Sequence, residues 1–330
     1  MGSIIITGKS ESLTVGVDLG GTKVEVSLIT SDGTVVTSSK RPTFPQKGPD
    51  EVIASIVTAI ETCFQEIDRK ADIIGVGVAG QVDRESGTVR FSPNLDWHNI
   101  PLQSKLEEAL HIPVVVNNDV RAATWAEWKY GAGRGINDLI CLFAGTGVGG
   151  GIVSGGQLLE GCNNAAGEIG HVTIVTGGRP CHCRNSGCLE AYVGGWAIAQ
   201  RTQEAVSNDP EKGRKLIDLA GDITQISAAT VTQAYYEGDS LADQIVTETA
   251  QYLAAGITGF VNMLNPCMLI LGGGVILGLP EYVSKIDNNV QQNALLAATE
   301  KLRIVTASLG NQAGAIGAAM LARHIIDNEQ

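Results

Sequence analysis

The sequence predicts an α/β protein in two lobes, and three observations carry that prediction. The chain has 330 residues, more than one hydrophobic core usually holds, so two lobes or domains are expected. It is 44% apolar but only 5% aromatic, the aliphatic balance of buried parallel sheets. A pattern of strand, glycine turn, strand, turn and strand occurs twice. Placing Thr22 on Thr146, 124 residues on, brings the Asp32-Gly33 turn to within one residue of Gly155-Gly156.

The first copy opens with Leu13–Asp18, a β-rich run that closes on Asp18-Leu19-Gly20-Gly21-Thr22-Lys23. Val24–Thr30 resumes the apolar alternation, and Thr34–Ser38 follows the Asp32-Gly33 turn as a third strand. Val52–Ile67 has helical periodicity, with Val52, Ile53, Ile56, Val57, Ile60, Phe64 and Ile67 on one face. Ile73–Val78 reads as a buried strand entering a Gly75–Gly80 loop. Leu102–Leu110 is a helix, Val114–Val116 a strand, and Val120–Tyr130 a helix capped by Asn118 or Asp119. The second copy runs Leu139–Phe143, the turn Ala144-Gly145-Thr146-Gly147, Gly149–Val153, Gly155-Gly156 and Gln157–Leu159. Then come a helical region around Ile198–Ala220, helices at Ala228–Glu237 and about Ser240–Asn262, and strand Met268–Leu271 before Gly272-Gly273-Gly274. Strand Arg303–Ala307 and a helix from about Ala313 to Ile326 close the chain.

A net charge of −12 argues against nucleic acid or an anionic membrane as the main partner. No stretch reaches transmembrane length, and Met1–Glu11 lacks the basic start and apolar run of a signal peptide. Seven cysteines, an odd number, fit a reducing cytosol better than a disulfide scaffold. These features predict a soluble, cytoplasmic protein.

Gly167–Gly195 concentrates the metal-binding chemistry. His171 followed by Cys181-x-Cys183-x4-Cys188 supplies one imidazole and three thiolates, a set suited to a closed tetrahedral zinc site. Glu168 and Glu190 bracket these ligands. Unrelated buried cysteines are the blander explanation, but three of the seven fall within eight residues of a glycine-rich loop too short to bury them separately.

The duplicated glycine turns suggest a phosphate clamp, because backbone without Cβ atoms approaches an anion closely and aims its N–H groups at the oxygens. Thr22, Lys23 and Thr146 add two hydroxyls and a cation. A Rossmann fingerprint needs its glycines between strand and helix, whereas Gly145–Gly150 lies between two expected strands; the GK[ST] of a P-loop is absent. Asp119 follows Val114-Val115-Val116 at a strand end, where open α/β sheets place their chemistry. It is either a carboxylate that orients and deprotonates an acceptor hydroxyl, or only the helix cap. Asp18 serves magnesium or simply closes its strand.

Asp18-Leu19-Gly20-Gly21-Thr22-Lys23, Asn118-Asp119, Gly145-Thr146-Gly147-Val148-Gly149-Gly150-Gly151, Gly167-Glu168-Ile169-Gly170-His171 and Cys181-x-Cys183-x4-Cys188-x-Glu190 occur in the order and spacing of the ROK family. The chain resembles that family of sugar kinases and related repressors from about Leu13 to Ala322. The resemblance implies an actin/hexokinase-like ATPase fold. Its smaller lobe would be 1–120 plus about 313–330, and its larger lobe 121–312 with the zinc loop at 167–195. It further implies ATP-dependent phosphorylation of a hexose hydroxyl, most often the 6-OH, with Asp119 as general base. Gly80, Asn118, Glu168, His171 and Glu190 would line the sugar site. Zinc on His171 Nδ1, Cys181, Cys183 and Cys188 would be structural. Asp18 would sit near magnesium, and Gly20, Gly21, Thr22, Lys23, Gly145, Thr146, Gly147 and Gly273 near ATP. The family's habit suggests a homodimer or homotetramer.

Ser92-Pro93-Asn94-Leu95-Asp96-Trp97 resembles the Pro-Asn-Leu-x-Trp stretch of the glucokinase branch, which implies glucose as acceptor. An N-acetylmannosamine or N-acetylglucosamine kinase is the alternative within the class. A sugar-responsive repressor is the alternative outside it; only about a dozen residues precede the first strand, where such repressors carry a helix-turn-helix. The chain departs from the family pattern at Arg184, where Gly is common, at Arg121, where a small amide is common, and at Gly194, where Ser is common. His182, between two cysteines, competes with His171 as a ligand.

Overall fold

The structure is a computed structural model that describes residues 12–329. It divides into two compact units, one made of the chain up to Gly131 with Gly161–Ala165 and Asn311 onward, the other of Ala132–Glu160 and Ala166–Gly310.

The first unit is built on a five-stranded sheet. Its strands are β1 (Leu13–Leu19), β2 (Lys23–Thr30), β3 (Val35–Pro42), β4 (Ile73–Val78) and, after the hairpin strands β5 (Gln81–Val82), β6 (Val89–Ser92) and β7 (Trp97–Ile100), β8 (Val114–Asn118). The order is β3-β2-β1-β4-β8, antiparallel through β1 and parallel from β1 to β8. Helix Pro49–Ile67 starts with Pro at its first position and Asp50 and Glu51 in its first turn, then buries Ile53, Ile56, Ile60 and Phe64.

Gly75 does not open a loop as expected. It lies mid-strand in β4, paired with Gly16 of β1. Both are glycine because helix Ala313–Glu329 lies directly on the sheet: a Cβ would come within 2.0 Å of the Ala315 carbonyl at Gly16 and within 1.8 Å of the Ala318 carbonyl at Gly75. That helix also meets helix Asp119–Lys129 through Gly317, whose Cβ would come within 1.8 Å of the Ala122 carbonyl. The expected boundary after residue 120 therefore falls inside a helix. The structure keeps that helix whole in the first unit and divides after Gly131.

The second unit repeats the plan with β9 (Leu139–Ala144), β10 (Val148–Ser154), β11 (Gln157–Leu158), β12 (Met268–Gly272) and β13 (Arg303–Thr306), in the order β11-β10-β9-β12-β13. Strand for strand this is the first sheet again, with the same antiparallel start and parallel continuation. Helix Ser240–Leu264 is capped by Asp239, which accepts from the Ala242 N–H, and buries Leu241, Ile245, Leu253, Ile257 and Phe260. The helical region expected around Ile198–Ala220 is two helices, Gly195–Asn208 and Arg214–Ala220. Helix Glu281–Asn293 and the hairpin strands β5 to β7 were not expected from sequence; the helix buries only Tyr282, Ile286 and Val290, a stripe too narrow to stand out. Among the described residues no helix is long and apolar enough to cross a membrane.

Candidate active site and metal centre

In the first unit, β8 delivers Asn118 and Asp119 to the C-terminal edge of the sheet. Asn118 is the helix cap: its Oδ1 accepts from the Arg121 N–H at 3.0 Å. Its Nδ2 donates to the Gly80 carbonyl at 3.2 Å, so Gly80 holds Asn118 in place. Asp119 is the first residue of the helix, with the Val120 N–H donating to its Oδ1 at 2.9 Å. The cap function that competed for Asp119 belongs to its neighbour.

At the end of β1, Gly20 donates to the Lys23 carbonyl, and Thr43 closes the turn through the Thr22 and Gly20 carbonyls. Gly21 is tightly packed, because a Cβ there would come within 2.7 Å of the Asn94 carbonyl. Asp18 packs against Gly314 at the start of helix Ala313–Glu329. Burial, then repulsion from Glu25, pushes its carboxyl up to about 6 from 3.8. A desolvated acid beside a second acid suits a divalent cation. Lys23 is engaged with Glu25 at 3.5 Å.

In the second unit, His171, Cys181, Cys183 and Cys188 offer ligand atoms that all lie within 4.8 Å of one another. Cys181 Sγ is 3.7 Å from His171 Nδ1, and Cys183 Sγ is 3.6 Å from Cys188 Sγ. Zinc–sulfur bonds of about 2.3 Å set tetrahedrally put neighbouring sulfurs about 3.8 Å apart, close to these two separations. Burial pushes the Cys181 thiol up to about 12 and raises Cys188 as well, so a cation is what would make them thiolates. The strand-like bridge Thr173↔Cys188 and the Leu189 N–H on the Val172 carbonyl fold the loop back on itself.

The His171 ring turns its Nδ1 to Cys181 and its Nε2 toward Glu168 Oε2, at 4.0 Å. Glu190 opens the short helix Glu190–Val193, and its Oε2 accepts from the Val148 N–H at 2.8 Å, just past the Gly145-Thr146-Gly147 turn. That turn closes with Gly145 donating to the Gly147 carbonyl, while Gly195 and Trp196 donate to the Gly145 and Thr146 carbonyls. Gly273 has φ 86°, and a Cβ would come within 2.3 Å of the Ala144 carbonyl, so the end of β12 lies against the same turn and requires glycine.

The ROK family model matches residues 14–325. The chain belongs to the ROK family. It is 34% identical over 314 residues to a glucokinase of Streptomyces coelicolor, covering 94% of this chain and 98% of that one. A ROK family glucokinase of Streptomyces griseus, solved in complex with glucose and AMPPNP, superposes with a TM-score of 0.84 at 33% identity, over 95% of this chain and 100% of that one. A xylose repressor of Caldicellulosiruptor bescii is 28% identical, over 92% of this chain and 76% of its own length.

The departures from the ROK pattern now have physical explanations. Arg184 sits at φ 75°, the left-handed region where glycine is at ease, and a non-glycine residue there costs roughly 1–2 kcal/mol. Gly194 is hemmed in: a Cβ would stand 3.0 Å from the Glu190 carbonyl and 3.1 Å from that of Thr146. Arg121 is buried, and its Nη2 donates to the Asn164 carbonyl at 2.9 Å, tying the 161–165 segment to the start of the helix. His182 is exposed and stacks on Trp196, ring centroids 4.2 Å apart, which leaves His171 as the histidine that joins the three cysteines. Leu95 and Trp97 of the glucokinase-like stretch are both 1% exposed, so that motif marks the packing of the first unit.

Sequence reading missed the polar frame behind the metal loop. Arg201, buried against Tyr252, donates to the Tyr192 carbonyl and pairs with Glu248 at 2.5 Å. Arg179 makes a two-pronged pair with Glu204, while its N–H donates to the Tyr192 hydroxyl. Nothing in the local pattern distinguishes these arginines from surface ones.

Proposed function

We propose that this ROK protein is an ATP-dependent glucokinase, transferring the γ-phosphoryl group of ATP to the 6-hydroxyl of glucose and releasing ADP. The observation that supports the kinase reading is the division of labour at β8: Asn118 caps the helix, so capping does not account for the Asp119 carboxylate. Glucose as the acceptor is supported by relatives about one-third identical over nearly the full chain.

In this reading Asp119 orients the 6-hydroxyl and takes its proton as the oxygen bonds to the γ-phosphorus and the bond to the ADP oxygen breaks. Asn118 has a second amide N–H beyond the one given to Gly80, and that group addresses a sugar hydroxyl. Gly80 then acts through Asn118. Glu168, His171 Nε2 and Glu190 pair with the remaining hydroxyls, and each missing partner would leave a buried polar group at a cost of about 1–3 kcal/mol. Gly20, Gly21, Thr22, Lys23, Gly145, Thr146, Gly147 and Gly273 hold the nucleotide. Magnesium bound with ATP would neutralise phosphate charge, and Asp18 is the carboxylate that serves it. Zinc on His171, Cys181, Cys183 and Cys188 would brace the loop that carries the sugar ligands. The protein works as a soluble cytoplasmic homodimer or homotetramer.

A coupled assay over glucose, N-acetylglucosamine and N-acetylmannosamine, with ATP and with polyphosphate, tests the reading. Glucose with ATP is expected to give the highest kcat/KM. An N-acetyl sugar favoured by about tenfold, a barrier difference of about 1.4 kcal/mol, would overturn glucose as the substrate.

A further inference from the structure

Glu190 makes a contact that a sugar ligand does not need. Its Oε2 accepts from the Val148 N–H at 2.8 Å, and its Oε1 lies 4.0 Å from Cys181 Sγ. The carboxylate therefore stands between the metal cluster on one side and the glycine turn Gly145–Gly147 on the other. Gly147 records how close that approach is: a Cβ there would come within 2.5 Å of Glu190 Oε2. Gly147 is outside the left-handed residues, so the crowding at this position comes from the carboxylate and from no backbone demand. A Cβ on Gly145, two residues earlier, would meet nothing within 4 Å. The residues that follow Glu190 fasten the same turn, with the Gly194 N–H on the Glu190 carbonyl at 2.9 Å and the Gly195 N–H on the Gly145 carbonyl at 2.8 Å.

We propose that Glu190 is a positioning residue for the phosphate-donor turn as well as a ligand of the sugar, so that one carboxylate links the two substrates' affinities. The inference rests on the reading of Gly145–Gly147 as a nucleotide loop and of Glu190 as a sugar ligand. A carboxylate holding a backbone N–H is among the stronger hydrogen bonds, and it holds the turn in one conformation before ATP arrives. Glucose that engages the other carboxylate oxygen further immobilises the same group. By reciprocity, whatever glucose does to nucleotide affinity, the nucleotide does to glucose affinity.

Calorimetric titration with AMPPNP in the absence of sugar, and with glucose in the absence of nucleotide, tests this on the wild type and three variants. Glu190→Ala is expected to weaken both ligands, AMPPNP by at least about fivefold through loss of the acceptor for the Val148 N–H. Glu190→Gln keeps an acceptor for the Val148 N–H and should hold AMPPNP affinity within about twofold of wild type while losing glucose affinity. Glu168→Ala should weaken glucose alone. Protection of the Val148 amide from hydrogen exchange should be lost in Glu190→Ala and kept in Glu190→Gln. Should Glu190→Ala fail to fold, Glu190→Asp, whose shorter arm withdraws from Val148, makes the same comparison. Unchanged AMPPNP affinity in Glu190→Ala or Glu190→Asp, with glucose affinity lost, would overturn the shared role and leave the sugar site standing. Unchanged glucose affinity in both the Glu168 and the Glu190 variants would overturn the sugar-site reading beneath it.

Discussion

Replacing Asp119 by asparagine removes a charge and, in the proposed reaction, the base, while the Val120 contact and the helix cap keep their partners. The Val120 N–H that donates to Asp119 Oδ1 at 2.9 Å finds the same acceptor on an asparagine, and the helix cap is the neighbouring Asn118. Through these contacts the structural loss is the favourable placement of a negative charge in the first turn, about 0.3–1 kcal/mol. For a protein of this size that lowers Tm by about 2 °C or less. The chemical loss is far larger: a positioned general base contributes about 10²–10⁴-fold, roughly 3–5 kcal/mol of barrier. Asn118→Ala reverses the balance, because it deletes the cap, worth about 1 kcal/mol, together with the tie to the Gly80 carbonyl. Steady-state kinetics with a coupled ADP readout, paired with thermal unfolding and glucose titration, separates the two. Asp119→Asn should lose turnover and keep both Tm and glucose affinity. Turnover within about tenfold of wild type would show that Asp119 is not the base.

Two further outcomes are expected. Asp18 is raised to about 6, first by burial and then by Glu25. Its contribution to stability is complete below the ordinary value of 3.8 and is lost as pH rises through about 6. Asp18→Asn, without nucleotide or magnesium, should therefore stabilise the protein near pH 7 by up to about 3 kcal/mol and leave it unchanged near pH 4, measured by denaturant midpoints. An equal gain at both pH values would contradict this account. Cys183→Ser should lose zinc measured by atomic absorption, and stability and glucose affinity with it, whereas His182→Ala should keep its zinc because that ring stacks on Trp196. Zinc lost from the His182 variant would reverse the ligand assignment.

Much of the fold was legible because its signals are local. The two strand–glycine turn–strand copies are written in alternation and glycine, and they emerged as sheets of identical strand order. The clustering of His171, Cys181, Cys183 and Cys188 was equally legible, since three cysteines and a histidine in one loop have few other uses. Gly75 was misread as a loop residue because a glycine required by an approaching helix and one required by a turn look alike in sequence. The hairpin strands β5 to β7 escaped notice because β5 has only two residues and β6 and β7 only four each, too short for alternation to register.

By itself the sequence determined the repeated α/β plan, the histidine and cysteines that cluster in one loop and the pairing of Asn118 with Asp119, because neighbours along the chain carry those patterns. Only the tertiary structure decided which of that pair caps the helix, which histidine turns its Nδ1 to the cluster, and that Glu190 reaches Val148, 42 residues earlier. Those outcomes depend on where separate segments bring their hydrogen-bonding atoms within about 3 Å of one another, a distance that no spacing along the chain encodes.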